Sequence, residues 1–316
     1  MNAYQKFNQL AGQVTNEIMQ QLEQGQVLWQ KPWSSYGLPK NYGSGRPYGG
    51  FNAFYLNYVT ARCHYTAPYF VTFKQAQALG GRVRKGEQGT PIVYWKIYDG
   101  KQITHPKDQE VGHREKEGKK CVPFFWTVFN IDQVEGVDFR LPEIPERSGQ
   151  QLIEACQDVV DGFPSPRPRI LHGGAAAWYA PATDTVQLPE PGRFHSSASY
   201  YATLFHELIH ATGHATRLNR FTREAAPARF GDEAYSKEEL IAEMGASFLC
   251  AYTGIREAVF QNTVAYLQGW ISCLREDKTL LLYAGTRAFK AASYLLALNA
   301  EAERLPTSEL TRAAQV

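Results

Sequence analysis

Leu204-Phe205-His206-Glu207-Leu208-Ile209-His210 is the stretch on which the reading of this chain turns. It holds two histidines four positions apart, with a glutamate directly after the first. On an α-helix, positions i and i+4 lie on one face, so both imidazoles can reach a single ion at about 2.0–2.1 Å. Glu207 stands beside them, placed to take a proton from water as a general base. The neighbours suit a buried helix. Leu204, Leu208 and Ile209 anchor it in a core, Ser196, Ser197 and Ser199 offer N-caps, and Thr212-Gly213 supplies a stop.

A catalytic metal usually takes three protein ligands. The best third candidate lies downstream, in Glu238-Glu239-Leu240-Ile241-Ala242-Glu243. Glu239 and Glu243 are again i and i+4 on one helix face. We assign Glu239 as ligand and Glu243 to an outer position that orients a histidine; the spacing leaves the reverse open. Two histidines and a carboxylate suit zinc first, and also manganese or iron. The pattern is that of a zincin, but not of a metzincin, which needs a further His six residues after the second. That position is Thr216, and His214 falls two residues early. His214 is therefore expected at the outer edge of the site, or as a helix-end cap or ion-pair partner.

A chain of 316 residues suffices for two domains. With 44% hydrophobic and 20% charged residues the chain reads as globular. No apolar run reaches the roughly 18 residues of a membrane span, and the start at Met1-Asn2-Ala3-Tyr4-Gln5-Lys6 lacks a secretory apolar stretch. Five dispersed cysteines without a Cys-x-x-Cys pair read as reduced thiols, so a cytoplasmic protein without membrane contact is expected.

Periodicity predicts a helix over 4–24, with Phe7, Leu10, Val14, Ile18 and Leu22 on one face. Residues 27–52, rich in aromatic, Gly and Pro residues, read as ordered but irregular. A short helix starts at Thr72 with Gln75 as capping-box partner, and strands follow at 91–98 and 121–131 around a charged loop at 99–120. After a linker come a helix at 150–161 and short strands at 169–171, 176–179 and 185–188. The last two flank a turn at Pro181–Asp184 and form either a sheet edge that could hold an extended peptide or an ordinary hairpin. Long helices fill the rest from Ser197. The expected class is α+β: a small α/β front domain over 1–138, a linker at 139–150, and a mostly helical zincin-like domain over 151–316.

Charge divides the same way. Residues 1–136 carry 16 Lys+Arg against 10 Asp+Glu, and the remainder 17 against 21, so the front half favours a polyanion. Aromatic and basic residues interleave there: Trp29, Lys31 and Trp33, then Arg46, Tyr48 and Asn52, then Lys74, Arg82, Arg84 and Lys85. Single-stranded nucleic acid is held by such sets, bases stacking on rings and cations following phosphates. The competing reading makes Trp29, Trp33 and Tyr48 filler in a small core.

These motifs resemble the ArdC-type antirestriction proteins of conjugative plasmids. The resemblance rests on Trp29 to Trp33, Tyr48 to Asn52, Thr72 to Ala76, Gly80 to Gly86 and Val93 to Trp95 in front. Behind, it rests on His206 to His214, Arg217 to Arg220, Glu238 to Glu243 and Ala265 to Trp270. It implies a front domain that binds single-stranded DNA, a zincin-like rear domain, and protection of incoming DNA from host restriction. A host restriction component is then a candidate protein substrate, and no nucleotide cofactor is implied. The front also resembles the start of TraC-type primases, without a primase region.

Overall fold

The computed structural model describes residues 2–25, 36–99, 119–144, 147–221, 233–255 and 263–298. Trp29, Lys31 and Trp33, and most of the charged loop expected at 99–120, lie outside these. Helix α1 (Ala3–Glu23) opens on a capping box in which Asn2 and Gln5 satisfy each other's backbone. It buries Leu10, Val14, Ile18 and Leu22, the predicted stripe. Strand β1 (Lys40–Asn41) and helix α2 (Gly50–Arg62) follow. Helix α2 has no counterpart in the periodicity. Every residue from Gly50 to Thr60 is buried, so it has no polar face to produce a 3.6-residue repeat, and its Gly and aromatic content reads as irregular.

Strand β2 (Tyr69–Thr72) runs into α3 (Phe73–Ala78), capped by Thr72 and Gln75 as the spacing predicts. Then come β3 (Arg82–Val83), β4 (Thr90–Asp99), β5 (Lys119–Asn130) and β6 (Val134–Glu135). The main sheet has the order β1-β2-β5-β4, with β1 parallel to β2 and the other pairs antiparallel. Strands β3 and β6 form a separate pair.

The rear begins with α4 (Gly149–Asp161) and three strands, β7 (Arg169–His172), β8 (Trp178–Ala180) and β9 (Thr185–Leu188), in the order β7-β9-β8. Strands β8 and β9 are antiparallel, and the order leaves β8 at an edge among the described residues. Four helices complete it: α5 (Ser197–Ala211), α6 (Glu233–Thr253), α7 (Thr263–Glu276) and α8 (Leu280–Leu295). A mixed front half thus precedes a mostly helical rear half. No helix among the described residues is long and apolar enough to cross a membrane.

The largest apolar cluster crosses the expected boundary. Leu10 and Ile18 of α1 and Phe51, Phe54 and Tyr58 of α2 share it with Leu240 and Met244 of α6 and Leu281 and Ala288 of α8. Polar ties reinforce this contact: Thr15 Oγ1 donates to the Lys278 carbonyl at 2.7 Å, and Arg275 pairs with Glu23 at 2.7 Å.

Candidate metal centre

Helix α5 is built to be buried. Ser196 caps it, with Ser199 completing a capping box, and Leu204, Phe205, Leu208 and Ile209 are at most 2% exposed. Helix α6 packs across it. The close approach depends on Gly245, where a Cβ atom would lie 2.9 Å from three carbons of the Ile209 side chain. That crossing brings Glu239 up to the two histidines.

The donor atoms converge. His206 Nε2 and His210 Nε2 are 3.1 Å apart. Glu239 places Oε2 3.3 Å from the first and Oε1 3.4 Å from the second. All three residues are less than a tenth exposed. A tetrahedral ion with 2.0–2.1 Å bonds has donor–donor edges of about 3.3–3.4 Å, so the residues fit a divalent ion of that size. His206, His210 and Glu239 form a divalent-metal-binding His/His/Glu site.

Electrostatics bind the group together. Burial lowers the His210 pKa, yet the carboxylates of Glu239 and Glu238 outweigh it and push it up to about 9. His206 is likewise raised against burial, by Glu239 and Glu243. Burial opposes ionisation of Glu239 as well, but the two imidazoles hold its carboxyl well below the usual range. Glu207 is 6% exposed. Burial pushes its carboxyl up, against the lowering pull of His206 and His210.

Each histidine has a carboxylate behind it. Glu243 Oε2 lies 3.6 Å from His206 Nδ1. Behind His210 stands Glu238, with Oε1 3.4 Å from Nδ1. Sequence reasoning missed Glu238, although it sits in the quoted motif next to Glu239. It also missed Arg220, which pairs with Glu238 Oε1 at 2.7 Å and donates to the Ile209 carbonyl at 2.7 Å and Thr212 Oγ1 at 2.6 Å. For Glu238 the place next to Glu239 becomes readable only through the α5–α6 crossing. His214 Nδ1 engages Thr216 Oγ1 at 2.8 Å, a local helix-end contact in keeping with the capping place offered for it; the carboxylate behind His210 is Glu238.

The front-half candidates are scattered more widely. Tyr48 and Asn52 are each 4% exposed. Tyr48 packs on Phe70. Asn52 donates to the Val93 carbonyl at 2.7 Å and accepts from its N–H at 3.0 Å, pinning α2 to β4. Both serve the interior, so for Tyr48 the filler reading holds. Arg46, Lys74, Arg82, Arg84 and Lys85 are exposed, with Arg82 paired to Glu135 and Arg84 to Glu87.

The rear half, with an HExxH helix crossed by a glutamate-bearing helix, defines a zincin-like metallopeptidase domain. The family model described as "Zincin-like metallopeptidase" matches residues 163–287, and that for the N-terminal domain of the anti-restriction factor ArdC matches 8–129. Two crystal structures of the antirestriction protein ArdC from plasmid R388 are similar along almost the whole length. The metal-free one is 33% identical, with a TM-score of 0.69, over 93% of this chain and 97% of that one. The Mn(II)-bound one is 34% identical, with a TM-score of 0.68, over 92% and 98%. An uncharacterised Sinorhizobium fredii protein, y4eC, is 32% identical over 92% of each chain. The chain belongs to the ArdC antirestriction family. It is also 37% and 36% identical to two Escherichia coli DNA primases TraC, of whose length it spans only 20% and 27%.

Proposed function

We propose that this protein is a cytoplasmic antirestriction factor, one that holds single-stranded DNA on its front half and shields incoming plasmid DNA from host restriction. Its rear half supplies a metal centre of the metallopeptidase type. The observation that carries this reading is the near full-length likeness to R388 ArdC, which spans the front half and the metal helix alike. Zinc is the ion we favour from the donor spacing, with manganese as the alternative, since the R388 relative has an Mn(II)-bound structure.

His206, His210 and Glu239 would hold the ion. Bound there, it would polarise a scissile carbonyl and acidify water. The chain's own contributions follow from the geometry. Glu207 takes a proton from the attacking water and can return it to the leaving amine. Glu243 and Glu238 keep the imidazole rings of His206 and His210 turned toward the ion. A segment of a host restriction component is the proposed substrate, laid along the β8 edge.

The test is transfer of unmodified DNA into a restricting host that carries the wild-type protein or Glu207→Gln. Removal of a general base slows hydrolysis by about 10²- to 10⁴-fold, so protection is expected to fall to the level of a host without the protein. Full protection by Glu207→Gln would remove the catalytic role and leave a DNA-coating protein whose metal serves folding. No protection by the wild type would remove the antirestriction reading altogether.

A further inference from the structure

Tyr48 and Asn52 are interior residues, so the base-stacking surface in the described part of the front half has to be found elsewhere. The main sheet offers one. Strand β2 pairs Thr72 with Val128 and Val71 with Phe129, and the chain then turns into α3 at Phe73. Thr127 pairs with Pro91. Successive side chains alternate across a sheet, so Thr127, Phe129 and Pro91 share one face with the buried Val71, and Phe73 reaches that face from the start of α3 through its contact with Phe129. At the far end of that face α1 packs on part of the surface: Phe7 meets Trp95 edge-on at 5.0 Å, and Lys6 Nζ lies 4.9 Å from the Phe125 ring centre, while Trp95 keeps 45% of its surface exposed.

The near end is open. Phe73 is 50% exposed, among the largest exposures of any apolar side chain described, and its ring meets Phe129 at 6.4 Å and 61°. Gly89 borders the same patch. A Cβ atom there would collide with Thr127 Cγ2 and lie 2.9 Å from Phe129 Cζ, so glycine lets the backbone lie flat against the two side chains. Cations stand on the flanks: Lys74 follows Phe73 directly, and exposed Lys85 lies in the turn that leads to Gly89.

We propose that this open sheet end is a stacking platform for single-stranded DNA, with Phe73 as the principal ring, Phe129 beside it, and Lys74 and Lys85 on the phosphates. The assignment rests on the single-stranded-DNA reading above and locates it. Two rings on a sheet face with cations at the rim suit unpaired bases, each of which has a π-face to offer. Duplex DNA keeps its bases stacked on each other and cannot use the rings.

The experiment is a titration of labelled oligo-dT with full-length protein at several salt concentrations, for wild type, Phe73→Ala, Phe73→Tyr, Lys74→Ala and Thr127→Asp. Thermal melts check that each variant folds. Phe73→Ala is expected to weaken binding about ten- to hundredfold, and Phe73→Tyr to retain it. Lys74→Ala should reduce the salt slope by about one contact. Thr127→Asp sets a negative charge at the centre of the patch without touching either ring, so it should abolish binding even if Phe73→Ala folds poorly. Wild-type affinity in folded Phe73→Ala and Thr127→Asp overturns the platform while leaving single-stranded-DNA binding in place. No oligo-dT binding by the wild type overturns both.

Discussion

At the scale of single residues, the metal centre is a two-layer arrangement. His206, His210 and Glu239 face one another, and a carboxylate stands behind each imidazole. Glu238 belongs to the layer that orients rather than binds. Its tie to Arg220, whose side chain is only 4% exposed, gives the carboxylate a fixed position behind His210. Replacement by Gln keeps the shape and removes the charge that holds the ring. Glu238→Gln is therefore expected to lower zinc affinity about 10- to 100-fold with little change in fold, as read by competition against a chelator. Unchanged affinity would reduce Glu238 to a partner of Arg220 alone.

At the scale of elements, the site depends on how α5 is joined to what surrounds it. The turn between β8 and β9 is tied to the loop after α5 by Arg217, whose side chain is fully buried. Arg217 donates to both Asp184 oxygens, to the Ala211 carbonyl at 2.7 Å and to the Pro166 carbonyl at 3.0 Å. Burial would raise the Asp184 pKa, but hydrogen bonds from Arg217 and Tyr179 outweigh it and hold it below the ordinary carboxylate value. A carboxyl depressed on folding contributes stability above its unfolded pKa, about 3.9, and loses it as pH falls through the folded value. Asp184→Asn leaves a buried guanidinium without its counter-charge, which costs about 3 kcal/mol. The variant should unfold more easily at neutral pH, and the gap to wild type should narrow as pH drops below about 4. Urea unfolding across that range measures it; a gap independent of pH would contradict the role given to the ion pair.

At the scale of the whole molecule, front and rear are not independent packings. Helices α1 and α2 belong to the front by sequence and to the rear by burial, since their apolar faces lie in the cluster that also packs α6 and α8. A segment of residues 139–316 alone would expose the surfaces of α7 and α8 that α1 and α2 cover. It is expected to lack a cooperative thermal transition, or to melt far below the full chain, when followed by circular dichroism. A melt equal to that of the full chain would make the division at 139–150 a true domain boundary.

What the sequence determined by itself was whatever depends on near neighbours in the chain. The i, i+4 spacing of His206 and His210, the caps at Thr72 and Ser196, and the strand pairs around Pro181–Asp184 are local, and local geometry follows from local residues. Helix α2 was not legible, because uniform burial erases the periodic contrast that marks a helix. Tertiary packing set Glu239 between the two imidazoles and Glu243 behind one of them, placed Glu238 behind the other, and turned Tyr48 and Asn52 inward while leaving Phe73 on the surface. Each of those outcomes depends on how far apart two packed elements sit and in what register. That is set by contacts such as Gly245 on Ile209, between residues the sequence holds far apart.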